Sequence, residues 1–134
     1  MFEPYIICDD SLENVNTEGK PVGFRYQARL NYYRGIPLSM VDDIRVEVDG
    51  EAVDRNRIRF SVDEDWFTLD EMETVTSVKW EYGRKATIFV EKEGGLAAGA
   101  HTLSVTQIVR TPYIPFPLTA SLSKVLKVEG GLAL

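Results

Sequence analysis

The chain has 134 residues, a length that suits one domain able to bury a hydrophobic core of its own. Its formal net charge is −6, which argues against binding to the phosphate backbone of nucleic acids and against docking on anionic membranes. The single cysteine excludes an internal disulfide and fits a reducing compartment.

The N-terminal stretch MFEPYIICDD lacks the basic region of a signal peptide. No apolar run in the chain approaches the ~20 residues that a membrane span needs. We therefore expect a soluble, cytoplasmic protein.

Near the N-terminus, Cys8 follows the apolar residues Tyr5, Ile6 and Ile7. We expect Cys8 to be a small buried hydrophobic residue rather than a nucleophile.

Apolar and polar residues alternate with period two along most of the chain, which is typical of half-buried antiparallel strands. In chain order, the predicted core faces are Phe24, Tyr26, Ala28, Leu30 and Tyr32; Ile44, Val46 and Val48; Ile58, Phe60 and Val62; Val78, Trp80 and Tyr82; Ala86, Ile88 and Val90; and Leu103, Val105 and Val109. A last strand is expected from Leu118 to Val128.

Turn signals separate these strands. Asp49-Gly50 predicts a type I′ hairpin turn, in which both central residues have positive φ. Gly94-Gly95 predicts another hairpin turn, and Gly99 a turn at the entry to a strand. Asp70 to Glu73 indicates either one helical turn, with Asp70 as N-cap and Glu73 as the capping-box partner, or a plain turn between strands.

Strands and turns at this spacing predict an all-β fold, a single antiparallel β-sandwich over residues 1–134. An immunoglobulin-like topology is the expected variant, although the Cys…Trp…Cys spacing of true immunoglobulin domains is absent.

The residues alone predict no catalytic, cofactor-binding or metal-binding set. His101 is the only histidine, and we interpret it as a strand-end residue at the rim of the core rather than a general base or metal ligand. The acidic stretch Asp63 to Asp65 lacks the spacing of a calcium loop, and we interpret it as a solvated turn.

Two aromatic segments that contain proline are the candidates for binding: Tyr32 to Leu38, and Thr111 to Leu118 with the sequence TPYIPFPL. Tyrosine, phenylalanine and arginine suit an interface, and proline orders a loop before it binds. The prolines also exclude an inner strand, because each removes a backbone donor. Both segments either contact a partner or fold back over the sandwich and close its core. The candidate interface residues are Tyr33, Arg34, Ile36, Pro37, Tyr113, Ile114, Pro115, Phe116 and Pro117.

Four blocks carry a resemblance to a known family: FEPYIICDDSLENV, YYRGIPLSMVDDIRVEVDGE, FTLDEMETVTSVKWEYGRKATIFVEKEGGLAAGAHTL and YIPFPLTA. Together, from Met1 to about Ala120, they resemble the small (β) subunit of bacterial C-glycoside deglycosidases. The most specific parts are LDEMETVT with the following WEYG, and YIPFPLTA.

The resemblance implies a partner and a reaction. It implies assembly with a larger α subunit, a TIM barrel that holds a divalent metal, with manganese expected. It also implies cleavage of the sugar–aglycone C–C bond in a 3-keto C-glycoside by β-elimination, with the substrate at or near the subunit interface. A separate oxidoreductase would supply the 3-keto sugar, and flavonoids are typical aglycones. The resemblance places no catalytic residue, cofactor or metal on this chain, which alone is expected to be inactive.

Two alternatives come from the residues. One is a stand-alone carbohydrate-binding or adhesion module with an immunoglobulin-like fold, whose exposed aromatic rings stack on sugars. The other is a small enzyme that uses His101 with nearby carboxylates.

Overall fold

Two antiparallel sheets face each other across one hydrophobic core in the computed structural model, which describes residues 2–129. Residues 1 and 130–134 of the predicted domain lie outside the described part. The strands are β1 Glu13–Thr17, β2 Lys20–Ala28, β3 Ile36–Pro37, β4 Val41–Val48, β5 Glu51–Ala52, β6 Ile58–Ser61, β7 Phe67–Thr68, β8 Lys79–Trp80, β9 Ala86–Glu91, β10 Gly99–Thr111 and β11 Ile114–Val128. The helical turns are α1 Leu69–Met72 and the 3-10 turns Glu3–Tyr5, Leu38–Met40 and Arg55–Arg57.

The strand order within the sheets is that of an immunoglobulin-type sandwich. One sheet has the order β1-β2-β9-β6-β7, the other β11-β10-β4-β5, and β3 pairs with β8. Apart from the short β7 and the β3–β8 pair, these orders correspond to the A-B-E-D and G-F-C-C′ sheets of immunoglobulin domains. The predictions of an all-β sandwich and of this topology are confirmed.

The predicted core faces are buried except at Val78, which is half-buried, and at Tyr82. Trp80 is fully buried, its ring stands edge-on to Phe60 with 5.1 Å between centroids, and its indole N–H donates to the Arg84 carbonyl at 2.9 Å. Tyr82 was predicted to share this face, and that prediction is wrong, since Tyr82 is 61% exposed. The strand ends at Trp80, and a turn through Gly83 (φ 82°) breaks the alternation.

Two of the three predicted turns are confirmed. Asp49 and Gly50 have φ values of 52° and 86°, and β10 begins at Gly99 with φ 119°. The hairpin predicted at Gly94-Gly95 is wrong, because β9 and β10 belong to different sheets and this turn lies in the connection between them. A Cβ on Gly95 would lie 2.6 Å from Asn14 Oδ1, so the close approach also requires glycine there.

The helical turn is present, but its predicted cap is wrong by two residues. Thr68 is the N-cap, and it forms a capping box with Glu71: the Thr68 hydroxyl accepts from the Glu71 N–H at 3.1 Å, and the Glu71 carboxylate accepts from the Thr68 N–H at 2.7 Å. Starting the helix at Leu69 buries Leu69 and Met72 in the core. Core packing thus decides between two possible caps.

Strand β11 begins at Ile114 instead of the predicted Leu118, so TPYIPFPL is the turn and the first part of an edge strand. The edge position tolerates proline, because the missing N–H groups leave no partner strand unpaired. Val109 pairs with Leu118, and Thr111 pairs with Ile114, so Arg110 faces a bulge of three residues, Pro115 to Pro117.

Candidate partner-binding surface

The two aromatic segments meet at one end of the sandwich. The first lies in the connection between β2 and β4, and the second spans the β10–β11 turn and the start of β11. These are the B–C and F–G connections of an immunoglobulin-type sandwich, which lie at the same end. The Arg34 guanidinium carbon lies 5.4 Å from the centre of the Tyr33 ring and 5.3 Å from that of Tyr113. The fold therefore joins segments that are about eighty residues apart.

The aromatic side chains of both segments point into solvent rather than into the core. Tyr113 is 73%, Phe116 61% and Tyr33 55% exposed. Arg34, Pro115 and Pro117 are also exposed, while Pro37 and Ile114 are half-buried. Closure of the core therefore does not account for the three exposed rings.

Ile36 does not belong to this surface, because it is only 1% exposed and pairs with Trp80 in the β3–β8 ladder. We therefore remove Ile36 from the predicted interface residues. The buried Tyr32 likewise continues the core face, as the alternation predicted.

Two more exposed tyrosines extend the same end, and the period-two analysis missed both. Tyr5 and Tyr82 are each 61% exposed. Phe2 stands edge-on to Tyr82, with 6.4 Å between ring centroids. Phe2 also lines a groove of about 320 Å³ beside Tyr33 and a second of about 220 Å³ beside Tyr5 and Tyr82. In the sequence, Pro4 before Tyr5 and Gly83 after Tyr82 are the only signals that these two tyrosines lie in turns rather than in strands.

We call this end of the molecule the aromatic surface. It comprises Phe2, Tyr5, Tyr33, Arg34, Tyr82, Tyr113 and Phe116.

A buried amide network connects the two proline-containing segments of the aromatic surface. Gln107, on β10, donates through Nε2 to the Arg29 carbonyl at 3.0 Å and to Asn31 Oδ1 at 3.2 Å. Asn31 in turn donates to the Leu118 carbonyl at 3.4 Å. The aromatic surface is thereby anchored on both strands of the β10–β11 hairpin.

His101 lies at the opposite end of the sandwich, at the rim of the core as predicted. Its Nδ1 lies 2.6 Å from Asp49 Oδ2, and its Nε2 lies 2.6 Å from the Ala97 carbonyl oxygen. Both neighbours are acceptors, so a doubly protonated ring satisfies both. The Ala97 carbonyl and the Asp49 carboxylate raise the pKa of the imidazole. Neither ring nitrogen is free to act as a base.

The described residues supply no evident metal site. Across residues 2–129, no three or more His, Cys, Asp or Glu side chains are grouped so that they could hold a metal ion. Cys8 is buried, as predicted, and Asp63 to Asp65 are exposed between β6 and β7. Within the same residues, no helix has the length and apolar character needed to cross a membrane.

Comparisons with known proteins agree with the resemblance in the sequence. The family model described as C-glycoside deglycosidase beta subunit matches residues 2–113. A 3'-dehydrocarminate deglycosidase beta subunit from a Microbacterium species is 37% identical over 117 residues, 86% of this chain and 83% of that protein. A C-glycoside deglycosidase beta subunit from Eubacterium cellulosolvens is 29% identical over 115 residues, 85% of this chain and 78% of that protein. This chain belongs to the family of C-glycoside deglycosidase beta subunits.

Proposed function

We propose that this chain is the small, non-catalytic subunit of a heteromeric C-glycoside deglycosidase and binds the larger subunit through the aromatic surface. The observation that carries the proposal is the convergence of solvent-facing aromatic residues from two distant segments in a member of a beta-subunit family. Exposed tyrosine, phenylalanine and arginine are the residue types that dominate the binding energy of protein interfaces.

In this proposal the larger subunit is a TIM barrel that supplies the base, and the substrate is a 3-keto C-glycoside. The ketone acidifies the neighbouring C–H, so a base removes that proton. The electron pair forms a C=C bond in the sugar as the bond to the aglycone breaks, and the aglycone carbon takes up a proton. A divalent metal held by the barrel, with manganese expected, would polarise the ketone. Both ring nitrogens of His101 are hydrogen-bonded, which fits a catalytic base that lies on the other subunit.

The role proposed for this chain is to cover the active site of the larger subunit. Active sites of TIM barrels lie among the loops at one barrel face. A sandwich whose aromatic end covers that face would exclude water and form a wall near the aglycone. The substrate would then lie at or near the subunit interface.

The test is to co-express this chain with a candidate TIM-barrel α subunit from the same organism. We expect the two chains to co-purify in a fixed ratio and to release the aglycone from a 3-keto C-glycoside. Each chain alone should show little or no activity under the same conditions. A monomer that never associates with the barrel protein would overturn the proposal.

The stand-alone carbohydrate-binding module would use the same exposed rings to stack on sugars. It is tested in the same preparation by titrating the isolated chain with glycans. Binding of glycans by the isolated chain, without assembly with a barrel, would favour that alternative over the proposal.

A further inference from the structure

Arg34 lies over two aromatic rings and has no acidic partner within the described residues. Its guanidinium lies over both the Tyr33 and Tyr113 rings, within 5.4 Å of each centroid. Among residues 2–129, no carboxylate lies within ion-pair distance of it. Of the acids at this end, Glu3 lines the groove beside Tyr33, and the Glu81 side chain packs against Gly35, where a Cβ would lie 2.0 Å from Oε1. Arg34 thus presents its charged guanidinium to solvent beside two aromatic rings.

This arrangement prepares the guanidinium for one kind of ligand. Stacking on aromatic faces leaves the N–H groups at the edge of the guanidinium plane free to donate. Those donors match the two oxygens of a carboxylate, which they bind through two parallel hydrogen bonds. Because the rings restrict the side chain before binding, less conformational entropy is lost when the pair forms.

The charges around Arg34 favour the same ligand. The chain as a whole carries a net charge of −6. At the aromatic end, however, Arg29 lines the groove beside Tyr5 and Tyr82, and Arg84 is exposed next to the turn at Gly83. In the described part of the chain, neither is ion-paired. This end of an otherwise acidic molecule therefore groups three arginines with the exposed aromatic rings, and of these Arg29 also interacts with Asp9, whose pKa it helps to lower.

We propose that Arg34 binds an aspartate or glutamate side chain of the larger subunit and fixes the orientation in which the two subunits dock. This inference rests on the proposed function and specifies the chemistry of its interface. The tyrosine rings exclude water around the pair, which strengthens a charge-assisted hydrogen bond. The larger subunit must then present a carboxylate within a patch that accepts the exposed rings.

The test compares three variants of this chain, each mixed with the purified larger subunit. Arg34→Met keeps an unbranched apolar stem but removes the guanidinium with its charge and its donors. We expect its dissociation constant to rise at least about tenfold. Arg34→Lys keeps the charge but lacks the paired donors of the guanidinium. Its dissociation constant should therefore lie between those of Arg34→Met and the wild type. Arg57→Met is the matched control, since Arg57 is exposed, lacks an ion pair within residues 2–129, and lies near His101 at the opposite end. It should bind like the wild type.

Salt dependence separates an ion pair from a purely structural role. Between about 0.05 and 0.3 M salt, wild-type binding should weaken more steeply than Arg34→Met binding, because salt screens the charge pair. Equal affinity and equal salt dependence of the wild type and Arg34→Met would overturn this inference while leaving the proposed function intact. Absence of any complex with the wild-type chain would instead overturn the proposed function. Circular dichroism and thermal melting of the isolated variants establish that each is folded.

Discussion

His101 faces two acceptors that favour its charged form, and they raise the pKa of its imidazole above the ordinary value of 6.5. The Ala97 carbonyl and the Asp49 carboxylate each take one N–H of the ring, and losing either proton leaves an acceptor unsatisfied. Because the chain has one histidine, its imidazole signal in a proton NMR titration is unambiguous. A midpoint above 6.5 in the folded protein is expected. A midpoint below that value would contradict the contacts described above.

The same pair makes stability depend on pH, and the sign follows from the directions of the shifts. The pKa of His101 is raised in the folded state, so its contribution is complete below pH 6.5 and is lost as pH rises through the folded value. His101 and the Thr102 N–H lower the pKa of Asp49, so its contribution is complete above pH 3.8 and is lost as pH falls through the folded value. The urea midpoint of the wild type should therefore exceed that of His101→Gln most clearly between these pH values. The difference should shrink at higher pH.

At the scale of single residues, the sequence predicts where His101 lies in the fold better than it predicts which residue His101 contacts. The alternation of β10 places His101 on the core face at a strand end, and the structure agrees. Asp49 is fifty-two residues away in sequence, so no local pattern identifies it as the partner. Only the pairing of β10 with β4 brings the two together.

At the scale of elements, the capping box at the start of α1 gives a direct comparison of two candidate caps. Thr68→Ala removes the hydroxyl that accepts from the Glu71 N–H, and it should lower the free energy of unfolding by about 1 kcal/mol. Asp70→Ala is the matched control. Asp70 is exposed and pairs at 3.3 Å with Arg55 on the surface, so its loss should cost no more than about 0.5 kcal/mol. Urea denaturation of both variants gives the two values, and a larger loss for Asp70→Ala would contradict Thr68 as the cap.

The elements also show where local patterns stop being sufficient. Thr68 to Glu71 and Asp70 to Glu73 both fit a capping box, and burial of Leu69 and Met72 selects the first. The start of β11 was missed for a related reason. Proline at 115 and 117 predicts an interruption, yet a bulge at the sheet edge accommodates both residues within a continuous strand.

At the scale of the whole molecule, the topology creates the aromatic surface. The sequence identified both proline-containing segments as candidates but did not indicate that they meet, because their contact depends on which connections share an end of the sandwich. It missed Tyr5, which lies in a 3-10 turn, and it wrongly placed Tyr82 in the core by extending the alternation past the end of β8 at Trp80. Conversely, the alternation correctly keeps Tyr32 in the core, next to the exposed Tyr33.

The exposed rings should matter for assembly and not for the stability of the monomer. Phe116 is flanked by two prolines, so its backbone is already restricted and loses little entropy on binding. Phe116→Ala and Tyr113→Ala should each weaken association with the larger subunit by at least about tenfold, as expected of aromatic residues in an interface. Since both side chains are mostly exposed, the free energy of unfolding of the isolated chain should change by no more than about 0.5 kcal/mol.

Trp66→Ala provides the matched control for these variants. Trp66 is 49% exposed and packs edge-on against Phe89 in the five-stranded sheet, with 6.5 Å between ring centroids, rather than in the aromatic surface. Its replacement should leave association unchanged. If Phe116→Ala or Tyr113→Ala instead lowers the melting temperature of the isolated chain in proportion to the loss of binding, these rings close the protein's own core. If Trp66→Ala weakens binding as strongly as they do, the contact surface extends beyond the end defined by the two proline-containing segments.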